Sequence, residues 1–412
     1  MPVSRRGFLH LIGGTEEVAL TGAFLSARGH EDYTAQAQAQ AQGQGERQRT
    51  RAVLPPGVEE IRISSNENPL GPGKAALDAI LGKFPEAGRY PFNSSPADAA
   101  LVATIAEKFK VKPENIVLGA GSQEILKSAM RAWVTPTKSL VTALPTFENC
   151  TGFAKRYNLP VTEVKVDSAM RLDVDAMIAA ASKGNCGLVF FNNPNNPTAT
   201  VHGAKTVTDM VERIRKASPD TIILIDEAYH DYVTDPSYQT AVPLAMSTPN
   251  VFVARTFSKA YGMAGMRIGY AIGMADTVKP LAKLKMPYNV SVFGVAAAIA
   301  SLNDPQHIAD ERKRNTEVRS FTMKALQDMG AKPADSQGNF LFVDIGRPAK
   351  DFRDACAKQG VMVGRDFPPY EKSHCRISIG TMPEMQRAVE VFRSALKTST
   401  TTAASGAAKG GR

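Results

Sequence analysis

Val251-Phe252-Val253-Ala254-Arg255-Thr256-Phe257-Ser258-Lys259, followed eight residues on by Arg267 and then by Gly269-Tyr270-Ala271-Ile272, is the stretch that decides the fold. Two short apolar runs flank a segment holding a hydroxyl, a lysine and an arginine. Short continuous apolar runs bounded by turn signals fit strands buried on both faces. Polar residues just past the carboxyl end of such a strand stand where open α/β sheets place ligands.

The same unit recurs upstream. The run 116–118 leads into Gly119-Ala120-Gly121-Ser122 and then a helix, with Ile125, Leu126, Ala129, Met130, Trp133 and Val134 on one face at the 3.6-residue period. The run 139–143 is followed by Pro145-Thr146-Phe147, and 187–191 by Asn192-Asn193-Pro194-Asn195-Asn196-Pro197-Thr198. After 221–225 comes Asp226-Glu227-Ala228-Tyr229. Apolar runs alternating with helical patterns predict an α/β fold: a large doubly wound domain with a mainly parallel sheet covered on both faces. Helical patterns dominate 291–330, and strand candidates 340–344 and 376–379 mark a smaller α+β domain. The expected division is a signal and linker over 1–50, an N-terminal arm over 51–90, a large domain over 91–300, a small one over 301–396 and a tail over 397–412.

Each polar group alone carries little. A glycine turn before a helix is usually only a turn, and a strand-terminal Asp is usually a helix cap. Their joint order is what matters. Ser65-Asn66-Glu67-Asn68-Pro69-Leu70-Gly71, Arg89-Tyr90-Pro91, Gly119-Ala120-Gly121-Ser122, Asn195-Asn196-Pro197-Thr198, Asp226-Glu227-Ala228-Tyr229, Ser258-Lys259 with Arg267, Pro287-Tyr288-Asn289-Val290 and Arg376-Ile377-Ser378-Ile379-Gly380 run in one order across almost the whole body. With these strings the chain resembles the fold-type-I pyridoxal-phosphate aminotransferases of class I/II, and among them the histidinol-phosphate aminotransferase group.

That resemblance implies pyridoxal 5'-phosphate as cofactor and a role for each matching residue. Lys259 is implied to hold the cofactor aldehyde as a Schiff base and, once displaced, to move the substrate proton. Asp226 is implied to keep the pyridine nitrogen protonated, and Tyr229 and Asn196 to hydrogen-bond the phenolic oxygen. Phe147 would stack on the ring. Ala120, Gly121, Ser122 and Gln123 at a helix N-terminus, with Ser258 and Arg267, would hold the phosphate. Tyr90 would reach the phosphate of a partner subunit, which implies a homodimer. Arg376 would take the substrate carboxylate through its planar fork, with Asn66 and Tyr288 lining the pocket. The implied substrates are an amino acid, or an amine like histidinol phosphate, and an α-keto acid acceptor.

The chain departs from that group at three points. Ala199 stands for the glycine of Asn-Pro-Thr-Gly, where a positive φ is expected. Gln123 stands where the group often has Asp, and Gly364 separates Val363 from Arg365. Other reactions on the same scaffold, namely decarboxylation, racemisation or oxidation, stay open at this point, as does a non-catalytic exported binding protein.

Composition adds boundaries. The 412 residues are 43% hydrophobic and 22% charged, ordinary for a globular protein. The net charge of +9 comes without a sustained basic run interleaved with aromatics, so no nucleic-acid partner is expected. Cys150, Cys186, Cys356 and Cys375 form no C-x-x-C pair, which argues against a metal site and a disulfide framework. No run of ~20 apolar residues exists to insert stably in a membrane. Ser4-Arg5-Arg6-Gly7-Phe8-Leu9 resembles a twin-arginine signal and predicts a periplasmic or exported protein. Glu16 and Glu17 interrupt the apolar run that follows it. Residues 31–50 and the tail are polar and low in complexity, so they are expected to stay unordered.

Overall fold

The structure, a computed structural model, describes residues 59–90 and 97–397. The signal-like N-terminus, the 31–50 stretch, Pro91 and the residues after Lys397 lie outside the described residues. The described chain begins with β1 (Ile61–Arg62) and the helix Lys74–Gly82. Seven strands of one sheet follow: β2 (Ile116–Ala120), β3 (Ser139–Leu144), β4 (Val161–Lys165), β5 (Cys186–Asn192), β6 (Ile222–Asp226), β7 (Val251–Thr256) and β8 (Ile268–Gly273). Their spatial order is β2-β8-β7-β6-β5-β3-β4.

Strands β3 to β7 pair in parallel, whereas β8 runs antiparallel to both β7 and β2. The β7–β8 link carries the lysine segment and no crossover helix, and a parallel return needs a dozen or more residues with such an element. The chain therefore turns back. Side chains along each inner strand alternate between two apolar clusters: Leu188 and Phe190 of β5 join one, Val189 and Phe191 the other. Burial on both faces is why these strands read as unbroken apolar runs. Strand β4 is missing from the expected set because Val161-Thr162-Glu163-Val164-Lys165 has no continuous apolar run and is half-buried at the sheet edge.

A third apolar cluster gathers Ile61 and Ile63 with Val318, Leu326 and residues between 331 and 395. It packs around β9 (Lys332–Pro333), β10 (Phe340–Asp344), β11 (Val361–Met362) and β12 (His374–Ser378). Strands β12, β10 and β9 form an antiparallel sheet, and β1 pairs in parallel with β11. The arm is thereby stitched to the C-terminal region. The last helix, Met382–Lys397, takes in Lys397, which the sequence assigned to the tail. All four cysteines are buried free thiols.

Candidate active site

The carboxyl ends of the parallel strands converge on a cavity of about 300 Å³. Asn66, Ser122, Gln123, Phe147, Asn196, Asp226, Tyr229, Ser258, Lys259, Arg267 and Arg376 all line it, so eleven of the residues singled out from the sequence meet in one place. Asp226 ends β6 in register with Asn192 at the end of β5. Its carboxylate is 1% exposed, accepts from the Asn192 amide at 3.2 Å and from the Ala228 N–H at 3.1 Å, and is pushed up to about 6 by burial. A cation set against it would restore the ionised form.

Lys259 follows β7 and reaches across to the arm: its Nζ donates to the Asn66 carbonyl at 3.0 Å and stands 5.4 Å from the centre of the Tyr229 ring. The Tyr229 hydroxyl accepts from the Asn66 amide at 3.0 Å. Asn66 in turn accepts from the Ser378 hydroxyl at 2.6 Å.

The glycine turn after β2 forms a cradle. Gly121 has φ +72° and caps the helix Ser122–Trp133. The Arg267 guanidinium lies on it, donating to the Ser258 hydroxyl at 3.3 Å and to the Ala120 carbonyl at 3.2 Å. A Cβ at Gly121 would collide with that guanidinium. A hydroxyl, a guanidinium and the unused N–H groups of a helix N-terminus suit a doubly charged phosphate. Ala120 departs from the expected role, because its N–H is already donated to Glu124 at 2.7 Å.

Arg376 on β12 is 8% exposed, yet among the described residues it has no carboxylate in ion-pair contact. It donates to the Asn196 amide oxygen at 2.9 Å and the Ser64 carbonyl at 2.8 Å, and its Nε is buried without a partner. Burial pushes it down to about 10. An anion entering the cavity would satisfy it.

Tyr90 and Tyr288 do not line the cavity of this chain. They pack on each other with ring centres 5.1 Å apart, 68% and 53% exposed. Ala199 takes φ +60°, the backbone that its glycine counterpart would take without strain.

Sequence reading missed several residues that shape the site. Asn192 steadies Asp226. Glu227 and Arg255 form a buried ion pair of 2.7 Å beside the ends of β6 and β7. Glu124 also accepts from the Asn289 amide at 2.7 Å. Glu148 forms a two-pronged pair with Arg365. Asn192 and Glu227 were visible as polar residues at the ends of apolar runs; Arg255, Glu124 and Glu148 are ordinary polar residues with no periodic signal.

A sheet of this order, with a lysine after β7, a buried aspartate at the end of β6 and a cradle suited to phosphate after β2, defines a pyridoxal-phosphate enzyme of fold type I. Residues 58–392 match the family described as "Aminotransferase class I and II", and the chain belongs to that family. It is 32% identical over 343 residues to the histidinol-phosphate aminotransferase of Moorella thermoacetica, covering 82% of this chain and 86% of that one. It is 33% identical over 349 residues to the aromatic amino acid aminotransferase of Thermobifida fusca, covering 84% and 92%. The histidinol-phosphate aminotransferase of Sinorhizobium meliloti, solved in complex with pyridoxal-5'-phosphate, superposes with a TM-score of 0.76 at 26% identity, covering 82% and 92%. The chain is a pyridoxal-phosphate-dependent aminotransferase acting on amino and keto acids.

Proposed function

We propose that Arg376 receives the anionic head of the amino donor, an α-carboxylate or the phosphate of an amine such as histidinol phosphate, and that Lys259 moves the proton during amine transfer. The observation that carries this reading is a buried guanidinium that has no carboxylate partner among the described residues and an orphan Nε, in the cavity that also holds Lys259. Bound pyridoxal phosphate supplies the electron sink that lets the donor's Cα–H bond break heterolytically. The chain's own residues do the rest. Lys259 Nζ anchors the cofactor aldehyde and then carries the proton as base and acid. The Asp226 carboxylate holds a protonated ring nitrogen by its charge. Arg376 fixes the donor so that the Cα–H bond faces Lys259. Gly121, Ser122, Ser258 and Arg267 would hold the phosphate, Phe147 would stand against the ring, and Tyr229 and Asn196 would hydrogen-bond the phenolic oxygen.

The names of the relatives suggest histidinol phosphate and aromatic amino acids as the first donors to try. A screen of these and other amino acids, with 2-oxoglutarate and pyruvate as acceptors, tests the reading. Amine transfer with at least one donor is expected, together with a large rise in KM for Arg376→Lys. Decarboxylation or racemisation of the same donors without amine transfer would overturn it.

The active unit in this reading is a homodimer. Of the eight large hydrophobic side chains exposed among the described residues, seven lie in residues 70–90 and 286–288, joined by the Tyr90–Tyr288 contact and, nearby, by Phe84 against Phe293. An apolar face so concentrated is the signature of a protein interface. Mixing Lys259→Ala chains with chains altered at Tyr90 is expected to regain activity through hybrid sites; an active monomer in sedimentation would refute the dimer. The Arg5-Arg6 motif supports export to the periplasm, since a cofactor site built from distant strands forms only in a folded chain and the twin-arginine route carries folded cargo. Cell fractionation decides this: full-length protein found only in the cytoplasm, unchanged by converting Arg5 and Arg6 to Lys, would sink the export reading.

A further inference from the structure

Besides Arg267 in the phosphate cradle, two guanidinium groups line the cavity, and they are in opposite states. Arg376 is buried and has no carboxylate partner, as described above. Arg365 is about half exposed and is held by Glu148 through both nitrogens, at 3.0 Å and 2.6 Å. Both guanidinium carbons stand over the same ring, that of Phe367, at 4.2 Å for Arg365 and 4.9 Å for Arg376. A substrate whose head group reaches Arg376 therefore has Arg365 one ring away. A second anion on that substrate would have to take the place of Glu148.

The Glu148 side of this pair is also positioned by the fold. Phe147 lines the cavity, and the next residue, Glu148, caps the helix Asn149–Arg156. The two side chains of the ion pair are 51% and 47% exposed, so the bond is solvated and can be exchanged for another carboxylate. We propose that Glu148 is a specificity-determining residue: it competes with a second anionic group of the substrate for Arg365, and so biases the enzyme toward substrates with an uncharged side chain. This rests on Arg376 as the site of the head group. The strength of a solvated two-pronged pair sets the bias at about five- to tenfold.

Binding of unreactive anions to the holoenzyme tests it without turnover. Glutarate carries two carboxylates and 3-phenylpropionate carries one. Calorimetry is expected to show that Glu148→Gln tightens glutarate about five- to tenfold and leaves 3-phenylpropionate within about twofold. Adding Arg365→Ala to Glu148→Gln is expected to erase the gain for glutarate. The kcat/KM ratio for dicarboxylic over aromatic amino donors is expected to rise by the same factor in Glu148→Gln. Equal changes for both anions, or no change for glutarate in a variant that melts like the wild type, would overturn the proposal. Arg376→Lys separates this from the head-group reading: if it weakens both anions while Glu148→Gln fails to favour glutarate, the role of Glu148 alone is overturned, and if it weakens neither anion, the head-group reading itself fails.

Discussion

The Asn66 amide donates to the Tyr229 hydroxyl at 3.0 Å across 163 residues of sequence, and the Asn66 carbonyl accepts from Lys259 at 3.0 Å. One residue of the N-terminal arm thus touches two of the groups around the cofactor. Asn66→Ala would leave the Tyr229 and Ser378 hydroxyls without this partner in a buried setting. The expected loss is about 1–3 kcal/mol in denaturant unfolding, together with a lower kcat/KM. A variant as stable and active as the wild type would show that the arm contact is incidental.

Lys259 is expected to be the residue that borohydride links to the cofactor, and peptide mapping reads this directly. Label on any other lysine would remove the assignment. Lys259→Ala is expected to lower transamination by several orders of magnitude, because the anchor and the proton carrier are lost together.

Asp226 yields a prediction on stability as well as rate. Burial raises its pKa to about 6, above the value of an exposed aspartate. An acid whose folded pKa is raised stabilises the fold below its unfolded pKa, and that contribution is lost as pH rises through the folded pKa. In the cofactor-free protein, Asp226→Asn is therefore expected to be more stable than the wild type above pH ~6, by at most about 3 kcal/mol, with the difference vanishing toward pH ~4. Thermal melts across that window check it. The holoenzyme is expected to behave oppositely in turnover, falling about a hundred- to a thousandfold, because the charge facing the ring nitrogen is gone.

Gly121→Ala is expected to strike cofactor affinity. The new methyl group would displace the Arg267 guanidinium, and the backbone at φ +72° disfavours any side chain. Loss of one charge-assisted contact corresponds to a dissociation constant for pyridoxal phosphate about ten- to a hundredfold higher, read by equilibrium dialysis. Unaltered affinity would show that Arg267 does not hold the phosphate.

Arg255→Met would leave Glu227 charged and buried, since their ion pair is nearly sealed from solvent. A loss of about 3–5 kcal/mol is expected, and Glu227→Gln in the same chain is expected to recover part of it. Denaturant curves of the two single variants and the double variant measure the coupling. Additive losses would mean that the pair does not act as a unit.

The inner strands were legible in the sequence because burial on both faces leaves unbroken apolar runs; Asp226 was legible because it ends such a run, and Lys259 because of its place after Ser258 and before Arg267 in the order of the motif strings. Strand β4 was not, because at the sheet edge it is only half-buried and its polar residues break the apolar run. The cradle residues Gly121, Ser258 and Arg267 could be named from the motif strings. That Ala120 spends its N–H on Glu124 could not, because a side chain's choice among nearby donors leaves no trace in composition or period.

The sequence by itself determined the sheet, the lysine and the chemistry that a cofactor site of this kind performs, since these depend on local patterns repeated along the chain. Only the tertiary structure decided that Asn66 meets Tyr229, that Asn192 braces Asp226, that Arg376 lies buried without a carboxylate partner and that Glu148 claims Arg365. Asn66 and Tyr229, Glu148 and Arg365, and Arg376 and its partners Ser64 and Asn196 are each separated by more than 150 residues. Their pairing follows from how the strand ends converge in space, and a linear pattern holds no record of that convergence.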